Sequence, residues 1–505
     1  MRNKNKLIKS KNFTYSFSDF FRGVNAGLDD GKVPVTYAKE SYNFDFTKGA
    51  LKKSLGFHEG LMELFDEEYV ASAQAELDAI GDIIRVYVFK RYDPVIGERG
   101  DKLLLLSSDY SLFILDLAGN NQNFSRVRNV TFTSIPNAVN FRLNGDDVLV
   151  LASPTDNMVI YDGVNMPYEV LDAPKVSSMD IHYERLFVTT VDEKARVLFS
   201  DDLDITNWSL SLEEAGFIEM VDERGALNRV VSFNDYLYIF RDYGISRLTA
   251  FGDQEGFSVS HLFSLGAKIY PESVAVSGDR IIFLSTNGLY SFDGYNCTKI
   301  LSNLDGLFAS NNDNSKAAYF MGKYYLSLNM NFDENNLFDE SGFVTNALIE
   351  YEPTTKKYKI VRGVSVVSIT PVTSGGIEKL YISARGSESE SYKVYVLDGS
   401  GKFDEQILPK KWKSDKCNFS SIKQKVLRAI VVDGEAGACI KITNQYGESK
   451  SIVTNSGQNR YMIFLSGVAF EFEISSTQEN AKINLINLEF SVLGGVWWIT
   501  VNRHI

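Results

Sequence analysis

Residues 278–296 read GDRIIFLSTNGLYSFDGYN: two apolar runs, Ile281–Leu284 and Leu289–Phe292, flank a tight polar turn, and the stretch closes on Asp293-Gly294. Widened to 273–301 it becomes SVAVSGDRIIFLSTNGLYSFDGYNCTKIL, in which apolar residues alternate at Val274 and Val276, run without a break over Ile281–Leu284, and return at Leu289, Tyr290 and Phe292. Ser-Gly-Asp, Thr-Asn-Gly and Asp-Gly-Tyr-Asn separate the runs. Gly and Asn accept positive φ and Asp bonds its own following backbone, so each separator is a turn with a mechanism. The pattern predicts a four-stranded antiparallel meander.

The unit recurs. Copies start at IIRVYVFKRY with DKLLLLSSDYSLFILDLAG (83–119), AVNFRLNGDDVLVLASPTDNMVIYDG (138–163), DIHYERLFVTTVDEKARVLFSDD (180–202) and VVSFNDYLYIFRDYGISRLTAFG (230–252). Downstream lie AAYFMGKYYLSLNM with ALIEYEPTTKKYKIV (317–361) and VVSITPVTSGGIEKLYISARGSESESYKVYVLDGSGKF (366–403). The third strand of each unit ends in an acidic turn, at Asp116, Asp162, Asp201, Asp293, Glu352 and Asp398, with Thr249 in that place in one unit. The marks recur about every 47 residues, close to the period of propeller blades. A lone meander exposes two apolar faces, and stacking meanders around an axis buries both. The expected fold is therefore all-β, a seven-bladed β-propeller over 83–409. Tandem β-sandwiches are the competing reading, but they impose no single meander period on so long a stretch.

The flanks differ. The segment 1–82 reads as an N-terminal arm and connector, and its turn-rich part 15–60 is expected to supply a strand that joins the first and last blades. LMELFDEEYVASAQAELDA (61–79) carries the one clear helical period, with Leu64, Val70 and Leu77 on one face. From PKKWKSDKCNF (409–419) onward the composition changes, and VLRAIVVDG, ACIKITNQYG, SKSIVTN, YMIFLSGVAFEFEIS and KINLINLEFSVL alternate as strands. These predict a small antiparallel β-sandwich over 410–505. Its tail holds Trp497-Trp498, which as strand neighbours point to opposite faces, so one of them is a candidate interface anchor, against the alternative of packing on its own domain.

The chain has 505 residues, more than one core usually serves, with 44% hydrophobic and 13% aromatic residues. A net charge of −13 argues against a general nucleic-acid binder. The basic residues Arg2, Lys4, Lys6, Lys9 and Lys11 cluster at the start, read as a docking or disordered arm, or alternatively as a contact for an acidic partner. Cys297, Cys417 and Cys439 form no metal or disulfide spacing. No signal-peptide h-region or membrane-length apolar run is visible, so folding in a reducing cytoplasm without a membrane is expected.

Chemistry-bearing patterns are sparse. His58, His182, His261 and His504 stand apart, and no zinc, nucleophile-elbow, Walker or dinucleotide motif is present. A carboxylate pair assembled in space would permit a glycoside hydrolase, on fold analogy alone. The acidic insertion FDENNLFDESG (332–342), with Asp333, Glu334, Asn335, Asn336, Asp339 and Glu340, lacks the spacing of a calcium loop and reads as a solvated loop. The repeated Asp-Gly pairs (162–163, 293–294, 398–399) read as turn chemistry. No catalytic residue, cofactor or metal site is expected, and the chain is not expected to be an enzyme.

The run GVNAGLDDGKVPVTYAKESYNFDFTKGALKKSLGF resembles the opening of β-propeller structural proteins of tailed bacteriophages. The Gly-x-Asn start is present, and Ala38, Asn43, Phe44, Gly49, Leu51, Gly56 and Phe57 match the pattern that follows it, with Ser54 in place of the usual arginine. A second likeness covers 226–301, and a third is Trp412-Lys413-Ser414 before a sandwich. The resemblance implies a virion protein of the neck or tail (a stopper, nozzle or tail-tip component) made in the host cytoplasm. It implies a homo-oligomeric ring, a hexamer by analogy, that contacts portal, adaptor or tail-tube proteins and lets genomic DNA pass without sequence-specific binding. A tail-tip module binding a receptor or glycan is the alternative, because loops vary freely on a rigid scaffold.

Overall fold

The computed structural model describes residues 11–492, apart from 19, 29–31, 35, 94–97, 100, 118–121, 211–213, 333–344, 375–376 and 387–390. The chain is nearly all-β and propeller-like. From Ile83 to Arg362 it forms six successive four-stranded antiparallel sheets, each built from strands in chain order. The opening stretch supplies one of them: Ala275–Ser277, Arg280–Ser285, Gly288–Phe292 and Cys297–Ile300, with Ile281 facing Phe292 and Leu284 facing Leu289. Each predicted acidic mark falls at or just past the end of the third strand of its sheet, as at Asp116, Asp293 and Glu352.

Strand alternation explains why the sheets stack. Ile281 and Phe283 are fully buried with Val231, Phe233 and Phe240 of the preceding sheet. Ile282 and Leu284, on the other face, are fully buried in a core that holds Tyr324 and Leu326 of the following sheet. The same division repeats along the chain. Tyr87, Phe89, Leu104 and Leu106 pack with Leu149 and Leu151, while Val150 and Ile160 pack with Leu186 and Val188. Phe187 and Phe199 pack with Leu237 and Ile239, and Tyr325 and Val361 pack with Val366 and Ile382.

The last sheet returns to the first. Val364–Ser374, Ile377–Gly386 and Lys393–Asp398 provide three strands, and Gly56–Glu59 adds the fourth from the N-terminal side. The register pairs Asp398 with Gly56, Leu397 with Phe57, Val396 with His58 and Tyr395 with Glu59. Val372, Tyr381, Val394 and Val396 of this sheet share one core with Val86, Val88, Leu103 and Leu105 of the first. The predicted helix begins later than its sequence period, at Val70, and runs to Ile80. A 3₁₀ turn at Met62–Leu64 precedes it, and Phe65 then drops into that shared core.

The N-terminal segment is spread over the molecule rather than gathered as an arm. Lys11–Phe17 pairs with Ile483–Val492 in a sheet completed by Lys425–Gly434 and Gly457–Gly467. Ala38–Tyr42 pairs with Lys410–Ser414 in a second sheet, continued by Phe470–Ser476, Cys439–Asn444 and Ser449–Val453. The inner faces of both sheets, with Phe17, Trp412, Leu427, Phe472, Leu488 and Phe490, join the core that contains Ile282 and Tyr324. The basic cluster Arg2, Lys4, Lys6 and Lys9 lies outside the described residues, as does nearly all of the acidic insertion.

Candidate functional site

The first strand of each stacked sheet lies next to the first strand of its neighbour. Asn140 donates from Nδ2 to the Val88 carbonyl at 3.0 Å and accepts the Lys90 N–H at 2.7 Å. Asp180 accepts the Ser232 N–H at 2.8 Å, and the Thr370 hydroxyl donates to the Val86 carbonyl at 3.0 Å. These strands therefore line a common wall, and polar side chains join them.

Glu272, in the short turn Pro271–Ser273, gathers cations from that wall. Lys316 Nζ stands 3.3 Å from Oε2, Arg85 Nη1 3.9 Å from the same oxygen, and Arg229 Nη1 3.8 Å from Oε1. Arg85 belongs to the first sheet, Arg229 to the fourth, Glu272 leads into the fifth and Lys316 opens the sixth. Sheets that are not sequence neighbours meet in this way only when their first strands surround a shared axis. Burial alone would raise the Glu272 carboxyl, but Lys316, Arg229 and Arg85 outweigh it and bring its pKa down to about 2. A group held ionised to that degree is not a general acid at neutral pH. Asp180, near the same wall, shifts the other way: burial raises it against the Ser232 and Ile181 N–H bonds and the Arg229 charge.

A second constellation joins the closed sheets to the C-terminal pair. Asn43 adopts φ 58 and donates from Nδ2 to the carbonyls of Arg362, at 3.1 Å, and Pro409, at 2.7 Å. Its Oδ1 accepts the Arg362 N–H at 2.9 Å. Phe44 and Leu51 are fully buried, and Leu51 bridges to Ile483. A Cβ on Gly56 would lie 2.0 Å from Ser400 Oγ and 2.6 Å from the Gly401 nitrogen, and Phe57 packs on Phe403. A Cβ on Gly23 would lie 2.7 Å from the Tyr358 hydroxyl. His58 closes the outer edge, with Nδ1 2.8 Å from Asp398 Oδ2 and Nε2 3.0 Å from Glu63 Oε1. Residues that stand out as a motif in the sequence are thus the residues that fix ring closure and the junction.

Trp497 and Trp498, the candidate interface pair, lie outside the described residues. Trp412, in the third resembling stretch, is 1% exposed and meets Phe17 and Phe20 edge-on, so it is a core residue. Among the described residues no group of His, Cys, Asp and Glu is arranged to hold a metal ion. The sequence reading missed the cluster of Arg85, Arg229, Glu272 and Lys316. Its only signal was one charged residue near the start of several units, which is common on exposed strands as well.

No protein-family model matches the chain, and no curated protein matches its sequence. Among solved structures, the extracellular domain of the putative one component system BT4673 from B. thetaiotaomicron is similar at 10% identity and TM-score 0.42, covering 90% of this chain and 61% of that one. BBS1N in its complex with ARL6DN is similar at 11% identity and TM-score 0.40, covering 64% and 94%. An exo-β-1,3-galactanase from Phanerochaete chrysosporium follows at 10% identity and TM-score 0.26, covering 77% and 93%. Likenesses this distant carry no argument about function, and the strand pairing and shared cores support the fold independently of them.

Proposed function

We propose that the chain is a seven-bladed β-propeller fused to a C-terminal β-sandwich, and that it serves as a structural subunit of a ring in the neck or tail of a tailed bacteriophage. The observation that carries this reading is the placement of the N-terminal motif resembling that family: Asn43, Leu51, Gly56 and Phe57 tie ring closure and sandwich into one body. Exposed apolar side chains in the loops beside the outer strands, Val164 at 70%, Met166 at 72%, Leu171 at 73% and Val221 at 78%, suit contacts between copies. The domain limits 83–409 and 410–505 belong to the same proposal, with the first 82 residues contributing strands to both.

Labelled antibody against the purified chain, applied to particles in negative stain, tests the reading. Label in a ring at the neck or tail supports it, and particles free of label end it. The receptor-binding alternative predicts label at the tail tip and capture of host glycans by the isolated chain. The hydrolase alternative draws no support from Glu272, whose three cations hold it ionised.

A further inference from the structure

We infer that the groove where the N-terminal segment crosses the fifth and sixth sheets is a binding site for phosphate groups. The groove encloses about 510 Å³ and is lined by Arg22, Lys299, Lys356 and Lys357, with Asn25, Asn303 and three tyrosines among its other walls. No carboxylate is among the described residues lining it, in a chain whose net charge is −13. Nearby acids offset part of that charge: Lys299 Nζ lies 2.7 Å from Asp305, and Lys357 sits opposite Glu352 in the strand register. Arg22, Lys356 and Lys357 are exposed.

The walls are fixed. The Tyr358 hydroxyl accepts the Val24 N–H at 2.8 Å and the Asn303 amide at 2.9 Å, and donates to the Val24 carbonyl at 3.2 Å. Lys356 adopts φ 57 and Leu301 φ 49, conformations that Gly or Asn fills at lower cost.

The chemistry selects phosphate over a base or a neutral sugar. Stacking needs free aromatic faces, but Tyr351 and Tyr358 are 4% and 6% exposed, and the Arg22 guanidinium lies 5.7 Å over the Tyr37 ring. What the groove offers is the positive charge of its arginine and lysine side chains, which binds phosphate oxygens and reads no sequence. The phosphate can come from a free polyphosphate or from the backbone of DNA, and the site does not depend on the virion reading above.

Titration of the full chain at low salt with inorganic pyrophosphate, and separately with a DNA duplex of about 20 base pairs, tests the inference. Binding by pyrophosphate alone assigns a free ligand, and binding by the duplex assigns the nucleic-acid backbone. In either case the double variant Lys356→Gly, Lys357→Gln weakens binding about tenfold or more, and it lowers the salt slope by about 1 for each phosphate that no lysine then neutralises. Glycine suits the left-handed backbone, so this variant folds, which thermal melting verifies. Lys450→Gln, an exposed lysine on a distant strand, leaves binding unchanged. No binding of either probe, or equal weakening by the double variant and by Lys450→Gln, overturns the assignment.

Discussion

Asn43 and Glu272 show how single side chains hold distant parts of the chain together. Asn43 supplies two donors and one acceptor to Arg362 and Pro409 from a left-handed backbone. Asn43→Ala removes the three bonds and places a Cβ-bearing residue without a local partner at φ 58, and is expected to cost about 2–4 kcal/mol by denaturant unfolding. Asn43→Gly relieves only the backbone part, so its loss is smaller by about 1 kcal/mol. Glu272 makes a pH prediction. Its folded pKa lies near 2, below the ordinary 4.5, so the folded state favours its ionised form. The associated stability is present above the ordinary value and is lost as pH falls from there through about 2. At neutral pH it amounts to roughly 2–3 kcal/mol after screening at 28% side-chain exposure is allowed for. Glu272→Gln therefore melts lower at pH 7, and the gap from wild type narrows in acid.

The strand Gly56–Glu59 carries the most consequence of any element. It lies between Lys393–Asp398 and the short strand Lys402–Phe403 in the last sheet although more than 300 residues of chain separate it from these partners, so long-range packing rather than local preference places it. A methyl at Gly56 would meet the Gly401 backbone nitrogen, which has little freedom to move, as well as the Ser400 side chain. Gly56→Ala is expected to cost about 1–3 kcal/mol, and adding Ser400→Ala to recover only part of it, by thermal or denaturant melts. The meander strands were legible because their apolar periods and turn residues are local signals, as in Arg280–Ser285 and Gly288–Phe292. The closing strand was legible only as a role, since GFHE has no period long enough to read. The pairing of Lys11–Phe17 and Ala38–Tyr42 with C-terminal strands was not legible at all, because edge register is set by partners far away in the chain. The axial cluster escaped for the same reason: Arg85, Arg229, Glu272 and Lys316 are near one another only after the sheets close.

Across the molecule, small sheets, each with two apolar faces, hide both by standing around one axis, with the first and last joined through Val86, Val88, Val372 and Tyr381. Two further sheets share a core with that ring, so unfolding of ring and C-terminal unit should be coupled. The N-terminal strand Gly56–Glu59 completes the last sheet of that ring against Lys393–Asp398. Hydrogen exchange followed by mass spectrometry reads that closure, by comparing peptides that cover Gly56–Glu59 and Lys393–Asp398. If the ring closes through this strand, both exchange slowly and through the same global opening, and Gly56→Ala accelerates them together. Rapid exchange at Gly56–Glu59 while Lys393–Asp398 stays protected would show that the ring closes without it.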